Sequence, residues 1–597
     1  MEGPSFKPEM EGGEPSKPDH SLPSYNEPTP ETHRRISREE EAELALKRTI
    51  FSRGAAFMLI VGFLATICVV PLIQFCSELR PTRTGSGLPM FDIFKALPGG
   101  KKIRAVRSPA DLWNLLPRRQ ELKAAEKGLE DQSIVSQWLL PRVQTILTGT
   151  LGVGNEQACV GRDGWLFYRP DVEYITGPAF FDPVGMKRRA EKSDVQPNPV
   201  SAIVDFRNQL RTRGIDLIIV PVPVKPAIDG EMLAEKGKSG DAPQNASFTS
   251  FIERLGKEDV RVFDPTKLLL ERKHALGGQP LYLQTDTHWR PETMEAVAQE
   301  FAKSSVGSGS GLAKTAGGRA ETASQPAALR VIAHEVSGLG DIATMLRLPP
   351  TQRIFPLQTV TIHEITLDTG LWNSEKDTTV LLLGDSFSNI FSLNAMGWGE
   401  SAGFAEHLSR ALGCRAIDCI VRNSNGAFAT REILSQELAR GRDRLAGKKL
   451  VVWEFAAREL AFGDWKLLPM KIGSPTPAES FSLKPGEQAT VQATIEAASP
   501  IPRPGAVPYK DHIFSLHLVD IADPRHFGAP GAHAVVYLWS MRDNVWTPAA
   551  RLRPGDKITI RLRAWDDVSA SYEKFNRSEI DNVELQKEDP LWGELSP

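Results

Sequence analysis

The longest uninterrupted apolar stretch of the chain is residues 54–76, which carry no charge. At ~1.5 Å per residue, a helix of this length spans roughly 34 Å, enough to cross the ~30 Å hydrocarbon core of a bilayer. A buried core helix is usually shorter and amphipathic, and a cleaved signal peptide lies at the extreme N-terminus. The pattern therefore predicts a transmembrane helix over 54–76.

A different pattern follows from about residue 155 to 470, where short continuous apolar runs alternate with amphipathic segments. Such runs between helices are typical of a parallel, doubly wound α/β sheet. The motif GRDGWLFY (161–168) predicts a hairpin, with Asp163 and Gly164 at its turn. Strands are predicted at 215–224, 260–265, 378–385 and 449–455, and helices at 201–213, 248–256, 291–303 and 404–413.

The remaining segments have distinct compositions. Residues 471–597 alternate short strands with Pro and Gly turns, which predicts an all-β sandwich or barrel. Its tryptophans make it a candidate carbohydrate-binding module. Its Trp539, Trp546 and Trp565 could stack on sugars, although filling the core is the expected role. The other predictions are a disordered tail at 1–33, a charged helix at 34–50, a connector at 77–154 with helices at 119–130 and 134–148, and a mobile insertion at 304–326.

Charge orients the predicted membrane helix. Six basic residues precede it closely and three follow it, which places the N-terminal side, residues 1–53, in the cytoplasm. The large C-terminal part is then periplasmic, held by a single pass through the inner membrane. The net charge of −3 does not favour a nucleic-acid partner. Cysteines 159, 414 and 419 would lie in an oxidising compartment, where their pairing stays open.

Two short motifs carry candidate chemistry. Ser386, in Gly-Asp-Ser-Phe-Ser (384–388), follows a predicted strand, and the carboxyl ends of parallel strands are where open α/β sheets place active sites. Asp286 and His288, in Asp-Thr-His-Trp (286–289), point to one side of an extended segment. A serine nucleophile needs a base, and that base needs an orienting group. Read separately, the first motif could be a helix cap and the second a turn.

Together the two motifs resemble known families. GDSFS after an apolar strand resembles the first block of the SGNH hydrolases, and DTHW upstream of it resembles the alginate O-acetyltransferases of AlgJ/AlgX type. Ordinary SGNH enzymes carry Asp and His after the serine, whereas this family and this chain carry them before it. The resemblance covers about residues 155–465 and includes GRDGWLFY, VPVPVKPAI (220–228), GDIATML (340–346), RNSNGAFATRE (422–432) and VVWEFAAREL (451–460).

The resemblance implies an acetyltransferase in which Ser386 is the nucleophile, His288 the general base and Asp286 its orienting partner. Asn425 or Gly426 would bind the oxyanion together with the Ser386 backbone N–H. Acetyl would pass through an acetyl-serine to a hydroxyl of an exopolysaccharide. The chain carries no metal or nucleotide motif, so no cofactor is predicted. Because acetyl-CoA is cytoplasmic, a membrane-bound O-acyltransferase partner would deliver the acetyl group. An esterase of the same fold and a non-catalytic polysaccharide-binding scaffold stay open as alternatives.

Two further residues have local interpretations. Lys225 follows a predicted strand and could contact an anionic sugar or the donor, or it could be a solvated surface lysine. Arg458 lies four residues after Glu454, a spacing that allows an ion pair on one helical face.

Overall fold

The computed structural model describes residues 52–78, 133–193, 195–234, 243–307 and 329–595, the last range with short gaps at 369, 440, 474–479, 503, 506, 508, 523–531, 553–554, 581 and 583–584. The predicted tail, the charged helix at 34–50, the helix at 119–130 and nearly all of the insertion at 304–326 lie outside these ranges. The chain divides into two units, residues 1–116 and 117–597.

The first unit contributes one described helix, α1 (Arg53–Glu78). Its residues Gly54–Cys76 meet the length and composition needed to cross a membrane, and their apolar side chains are largely exposed. Pro71 lies inside this helix.

The second unit carries the other elements. Its helices are α2 (Ile134–Leu151), α3 (Arg169–Thr176), α4 (Pro183–Ser193), α5 (Pro199–Arg211), α6 (Lys225–Ile228), α7 (Phe248–Lys257), α8 (Thr266–Ala275), α9 (Pro291–Gly307), α10 (Asp341–Met345), α11 (Ser386–Asn389), α12 (Phe404–Ala411), α13 (Gly426–Ala439), α14 (Glu459–Phe462) and α15 (Asp566–Tyr572).

Its strands fall into four sheets. They are β1 (Ala158–Val160), β2 (Leu166–Tyr168), β3 (Asp216–Val222), β4 (Arg261–Val262), β5 (Arg330–Gly338), β6 (Gln358–Leu367), β7 (Gly370–Leu371), β8 (Val380–Gly384), β9 (Asp418–Val421), β10 (Leu450–Ala456), β11 (Gln488–Ala498), β12 (His512–Ala522), β13 (Ala534–Arg542), β14 (Val545–Trp546), β15 (Lys557–Ala564), β16 (Arg577–Ser578) and β17 (Leu591–Leu595).

The central sheet confirms the predicted α/β class. Five strands pair in parallel in the order β4-β3-β10-β8-β9. The inner strands β8 and β10 are buried along their whole length, so their sequences are apolar on both faces, apart from Glu454 in β10, rather than alternating. Two buried clusters cover the two faces; Leu382 belongs to one and Leu383 to the other, as alternation along a strand requires.

The C-terminal module is a closed barrel. Pairing runs from β13 through β17, β15, β11 and β12 and back to β13, which leaves these five strands without a free edge. The inward residues of β11 are Ala489, Val491, Ala493 and Ile495, and they alternate with exposed polar residues. Trp565 is buried and Trp539 packs against Phe575, so both serve the interior of this module.

Two smaller sheets complete the described strands. The hairpin β1–β2 is confirmed, and both residues of its turn have positive φ, 51° at Asp163 and 77° at Gly164. Strands β5, β6 and β7 form an antiparallel sheet.

Candidate active site

Ser386 begins α11 directly beyond the carboxyl end of β8. The Asp385 carboxylate shapes this turn, because one oxygen accepts the Phe387 N–H at 2.8 Å and the other accepts the Ala456 N–H at 2.7 Å. Asp385 therefore ties the serine turn to strand β10. Ser386 is 1% exposed and lines a cleft of about 270 Å³.

His288 lines the same cleft. Its Nδ1 lies 2.6 Å from Asp286 Oδ1, and the two side chains are buried. Its Nε2 is buried and lacks a hydrogen-bond partner among the described residues. With Nδ1–H donated to Asp286, the Nε2 lone pair is free to accept a proton in the cleft that Ser386 also lines.

The charges of this pair reinforce each other. Burial disfavours the charged form of His288, but the charge and hydrogen bond of Asp286 outweigh it and raise the His288 pKa. Burial likewise opposes ionisation of Asp286, yet His288 and the Trp398 indole lower its pKa to about 2. The Trp398 Nε1–H donates to Asp286 Oδ2 at 2.9 Å. Asp286 is thus a stable anion that favours an imidazolium.

The motif at 340–346 supports this pair. The Asp341 N–H donates to Asp286 Oδ2 at 3.0 Å, and Asp341 Oδ1 accepts the Thr287 N–H at 2.7 Å. Gly340 precedes it with φ 90°, and a Cβ there would lie 2.3 Å from the Thr285 carbonyl oxygen. Glycine is required because the two segments pass too close for a side chain.

Asp341 is a second acidic side chain beside His288. Its Oδ2 lies 3.9 Å from His288 Nδ1. Burial and the neighbouring charge of Asp286 raise the Asp341 pKa to about 7. Its ionisation near neutral pH changes the field at His288.

The two sequence motifs meet directly. The Trp289 Nε1–H donates to the Phe387 carbonyl at 3.1 Å, and the His288 ring packs edge-on against the Phe387 ring with centroids 4.8 Å apart. Trp289, which follows His288, therefore holds Phe387, which follows Ser386. This contact joins segments about 100 positions apart in sequence.

Asn423 also belongs to the site, although neither sequence motif contains it. It lies in the loop after β9, is buried and lines the cleft. Its Oδ1 accepts from Asn389 Nδ2 at 2.7 Å, and its own Nδ2 is buried without a partner among the described residues. A buried amide donor left free in a cleft suits binding of an anionic oxygen. An asparagine in the loop after a parallel strand was the available signal.

Asn425 and Gly426, the two residues predicted to bind the oxyanion, differ in their surroundings. Asn425 is exposed, lines the cleft and has φ 53°. Gly426 does not fit the predicted role in oxyanion binding, because its N–H donates to Glu459 Oε1 at 3.0 Å and is not free. A Cβ on Gly426 would lie 2.4 Å from Asp385 Cβ, so glycine here permits α13 to pack against the serine turn.

The position of Lys225 differs from both interpretations of its sequence. It begins α6 beyond β3, but its side chain is buried and its Nζ donates to the carbonyls of Leu166 at 2.6 Å, Gln284 at 2.9 Å and Asp286 at 3.0 Å. It is neither a solvated lysine nor a residue lining the cleft. Burial lowers its pKa to about 7. Its three donors brace the backbone that carries Asp286.

Arg458 does not form the ion pair with Glu454 that its spacing suggested. It lines the cleft and pairs with Asp171 at 2.9 Å. Glu454 instead accepts from Ser388 Oγ at 2.5 Å and from the Asp385 N–H at 3.0 Å. Burial, with the charge of Asp385, raises the Glu454 pKa well above its ordinary value.

Ligand atoms of Asp286, His288 and Asp341 lie within 4.8 Å of one another, a spacing that a metal ion could use. Both Asp286 oxygens and His288 Nδ1 are already joined in hydrogen bonds, so the arrangement fits a hydrogen-bonded pair better. Cysteines 159, 414 and 419, all in the described ranges, are free thiols.

Comparison with known proteins places this site in a family. The model described as "SGNH hydrolase-like domain, acetyltransferase AlgX" matches residues 158–457, half of the chain. "Probable alginate O-acetylase AlgJ" of Pseudomonas fluorescens is 29% identical over 150 residues, which cover 25% of this chain and 34% of that protein. The protein of the same name from Pseudomonas aeruginosa is 26% identical over 149 residues, 25% of this chain and 33% of that protein. The matches thus span about a third of these relatives.

Two solved structures of AlgJ and AlgX proteins are similar to this chain. The O-acetyltransferase domain of Pseudomonas putida AlgJ is 21% identical with a TM-score of 0.36, covering 51% of this chain and 93% of that one. Pseudomonas aeruginosa AlgX is 14% identical with a TM-score of 0.37, covering 68% and 91%. These scores are too low for a position-by-position comparison. On the family model, the chain belongs to the SGNH hydrolase-like acetyltransferases of the AlgX family.

Proposed function

We propose that this chain is a membrane-anchored O-acetyltransferase that modifies a polysaccharide through an acetyl ester on Ser386. The observation that carries the proposal is the buried pair of Asp286 and His288, whose free Nε2 lies in the cleft that Ser386 lines. Family membership and the printed name of the curated relatives support acetyl transfer to a polysaccharide.

In the first half-reaction, His288 Nε2 takes the Ser386 hydroxyl proton as Oγ attacks the acetyl carbonyl of the donor. The tetrahedral oxyanion is stabilised by the Ser386 N–H and the Asn423 amide. Its collapse breaks the bond to the donor, whose leaving oxygen takes the proton from His288. Asp286 stabilises the imidazolium between these two transfers.

In the second half-reaction, a sugar hydroxyl gives its proton to His288 and attacks the acetyl-serine. The new ester forms as the bond to Ser386 Oγ breaks, and Oγ recovers the proton. Asn425 and Arg458 line the cleft where the acceptor would lie. Asn425 can exchange hydrogen bonds with sugar hydroxyls.

The anchor and the partner belong to the same proposal. Residues 54–76 would hold the enzyme in the inner membrane with the cleft in the periplasm. Acetyl-CoA would then be on the opposite side of the membrane, so a membrane-bound O-acyltransferase would pass the acetyl group across. The proposal therefore requires two proteins for acetylation from acetyl-CoA.

The test is mass spectrometry of the purified chain after incubation with 4-nitrophenyl acetate. We expect an added acetyl group on Ser386 that is absent in Ser386→Ala. Ser424→Ala is the matched control, because Ser424 is an exposed serine of the same cleft and its loss should leave the adduct in place. An adduct that persists in Ser386→Ala would refute the assignment of the nucleophile.

The fate of the adduct separates transfer from hydrolysis. Adding an oligosaccharide acceptor should discharge it and acetylate the sugar. Discharge at the same rate in buffer would identify an esterase instead. In cells, Ser386→Ala should abolish polymer acetylation at a normal protein level; unchanged acetylation would identify a scaffold.

A further inference from the structure

The barrel and the α/β domain meet behind the cleft at residues 573–576, which connect α15 to β16. We call this stretch the 573–576 segment. It contacts strand β9 and the loop that follows, the same loop that brings Asn423 into the cleft.

The first contacts come from Glu573. Its carbonyl accepts the Arg422 Nη1–H at 2.7 Å, and its carboxylate oxygen lies 2.7 Å from Arg444 Nη1. Arg444 also pairs with Asp418, the first residue of β9, at 2.7 Å. The barrel is thereby attached to the strand on one side of Asn423 through the buried Arg444 and Asp418 and the half-buried Glu573.

The second contact reaches Asn423 itself. The Asn576 side-chain oxygen accepts the Asn423 backbone N–H, and both residues are buried. Asn576 is fixed within the barrel, because its carbonyl accepts the Ile513 N–H at 2.9 Å and its side chain hydrogen-bonds to Tyr509. The Asn423 side chain is held separately by Asn389. Two anchors, one of them in the barrel, therefore set the direction of the free Nδ2.

We propose that Asn576 of the C-terminal barrel is a positioning residue that holds the Asn423 amide in place to bind the oxyanion, so that the barrel is a working part of the catalytic site. This rests on the proposed function. An oxyanion donor acts over a narrow range of distance, about 2.7–3.1 Å, so a small shift of the loop removes most of its effect. Loss of the Asn576 oxygen leaves the buried Asn423 N–H unpaired and frees the loop to move.

The test is a double-mutant cycle in the full-length chain, measuring the burst rate of Ser386 acetylation by 4-nitrophenyl acetate. We expect Asn576→Ala to slow acetylation about tenfold or more and Asn423→Ala about 100-fold or more. In the double variant, Asn576→Ala should add less than about twofold to the Asn423→Ala defect, because its effect passes through that amide.

The matched control is Asn544→Ala. Asn544 lies in a barrel turn with φ 62°, and its side-chain oxygen accepts the Gly505 N–H at 2.5 Å. Its substitution removes the same kind of acceptor from the same module and adds backbone strain, so it should lower stability comparably. The acetylation rate of this variant should match that of the unsubstituted chain.

Amide hydrogen exchange gives a readout that does not depend on activity. The Asn423 amide should exchange faster in Asn576→Ala and at the unsubstituted rate in Asn544→Ala. Normal acetylation in Asn576→Ala, purely multiplicative effects in the double variant, or unchanged exchange at Asn423 would overturn the inference. If the unsubstituted chain fails to acetylate Ser386, the proposed function fails instead, and the exchange experiment still tests the contact.

Discussion

Replacing Gly340 by Ala tests whether the close approach of Gly340 to Thr285 is needed to hold the Asp286–His288 pair in place. Gly340 has φ 90° and ψ 150°, a region that is essentially restricted to glycine. A Cβ on this residue would lie 2.3 Å from the Thr285 carbonyl oxygen, 2.5 Å from its carbon and 2.9 Å from the Asp286 nitrogen. The atoms in the way are backbone, so they can yield only if the chain carrying Asp286 moves.

Two costs add at this position. The backbone conformation costs an alanine about 1–3 kcal/mol. Overpacking against buried backbone costs about 1–3 kcal/mol more. The sum, about 2–6 kcal/mol, is a large part of the roughly 5–15 kcal/mol by which a domain is stable. Activity should fall as well, because a shift near 1 Å in a catalytic group can cost about 100-fold.

The assay combines urea unfolding with the burst rate of Ser386 acetylation. Gly278→Ala is the control, because Gly278 has a similar φ of 84° and its Cβ would meet nothing within 4 Å. It should lose about 1–2 kcal/mol from conformation alone and keep its rate. Equal destabilisation of the two variants, or a normal rate in Gly340→Ala, would refute the argument from crowding.

Two further predictions concern pH. The rate of Ser386 acetylation should rise with pH as His288 loses its proton. Asp341→Asn removes an anion that raises the His288 pKa, so the inflection in the burst rate should move to lower pH. An unmoved inflection would contradict the role assigned to His288. Burial would raise the Glu573 pKa, but Arg444 lowers it to about 2 from 4.5, so the stability that Glu573 contributes is present above pH 4.5 and lost as pH falls towards 2. The shift corresponds to about 3 kcal/mol of unfolding free energy. In urea titrations, Glu573→Gln should be less stable by that order at pH 7, and its stability should change less between pH 4.5 and 2. Identical pH profiles of the two proteins would show that the ion pair contributes nothing.

Much of the α/β domain was predictable because its signals are local. A strand buried on both faces is apolar at nearly every position, so 378–385 and 449–455 predicted β8 and β10 within a few residues. Alternation likewise predicted the strands of the C-terminal module. Local pattern does not state which strands close a ring, and the choice between sandwich and barrel depended on the pairing of β12 with β13.

The candidate site divides in the same way. Asp286 and His288 are two positions apart, so extended geometry predicted that they act together, and the structure has them hydrogen-bonded. The neighbours of Lys225 and Gly426 are 33 to 61 positions away, and no local period reports them. Their predicted roles were wrong because burial and long-range hydrogen bonds had already committed their donors.

The sequence by itself determined the order of elements and the apolar helix at 54–76, and it supplied residue types suited to a candidate nucleophile, base and orienting acid. Tertiary structure alone decided which polar atoms stay free. Asn423, in the loop after β9, and Gly426, at the start of α13, are three positions apart, yet the Asn423 amide keeps an open donor while the Gly426 N–H is bonded to Glu459. The reason is physical: a free donor is defined by the absence of a partner, and partners are brought by the whole fold, including the barrel that holds Asn423 from behind.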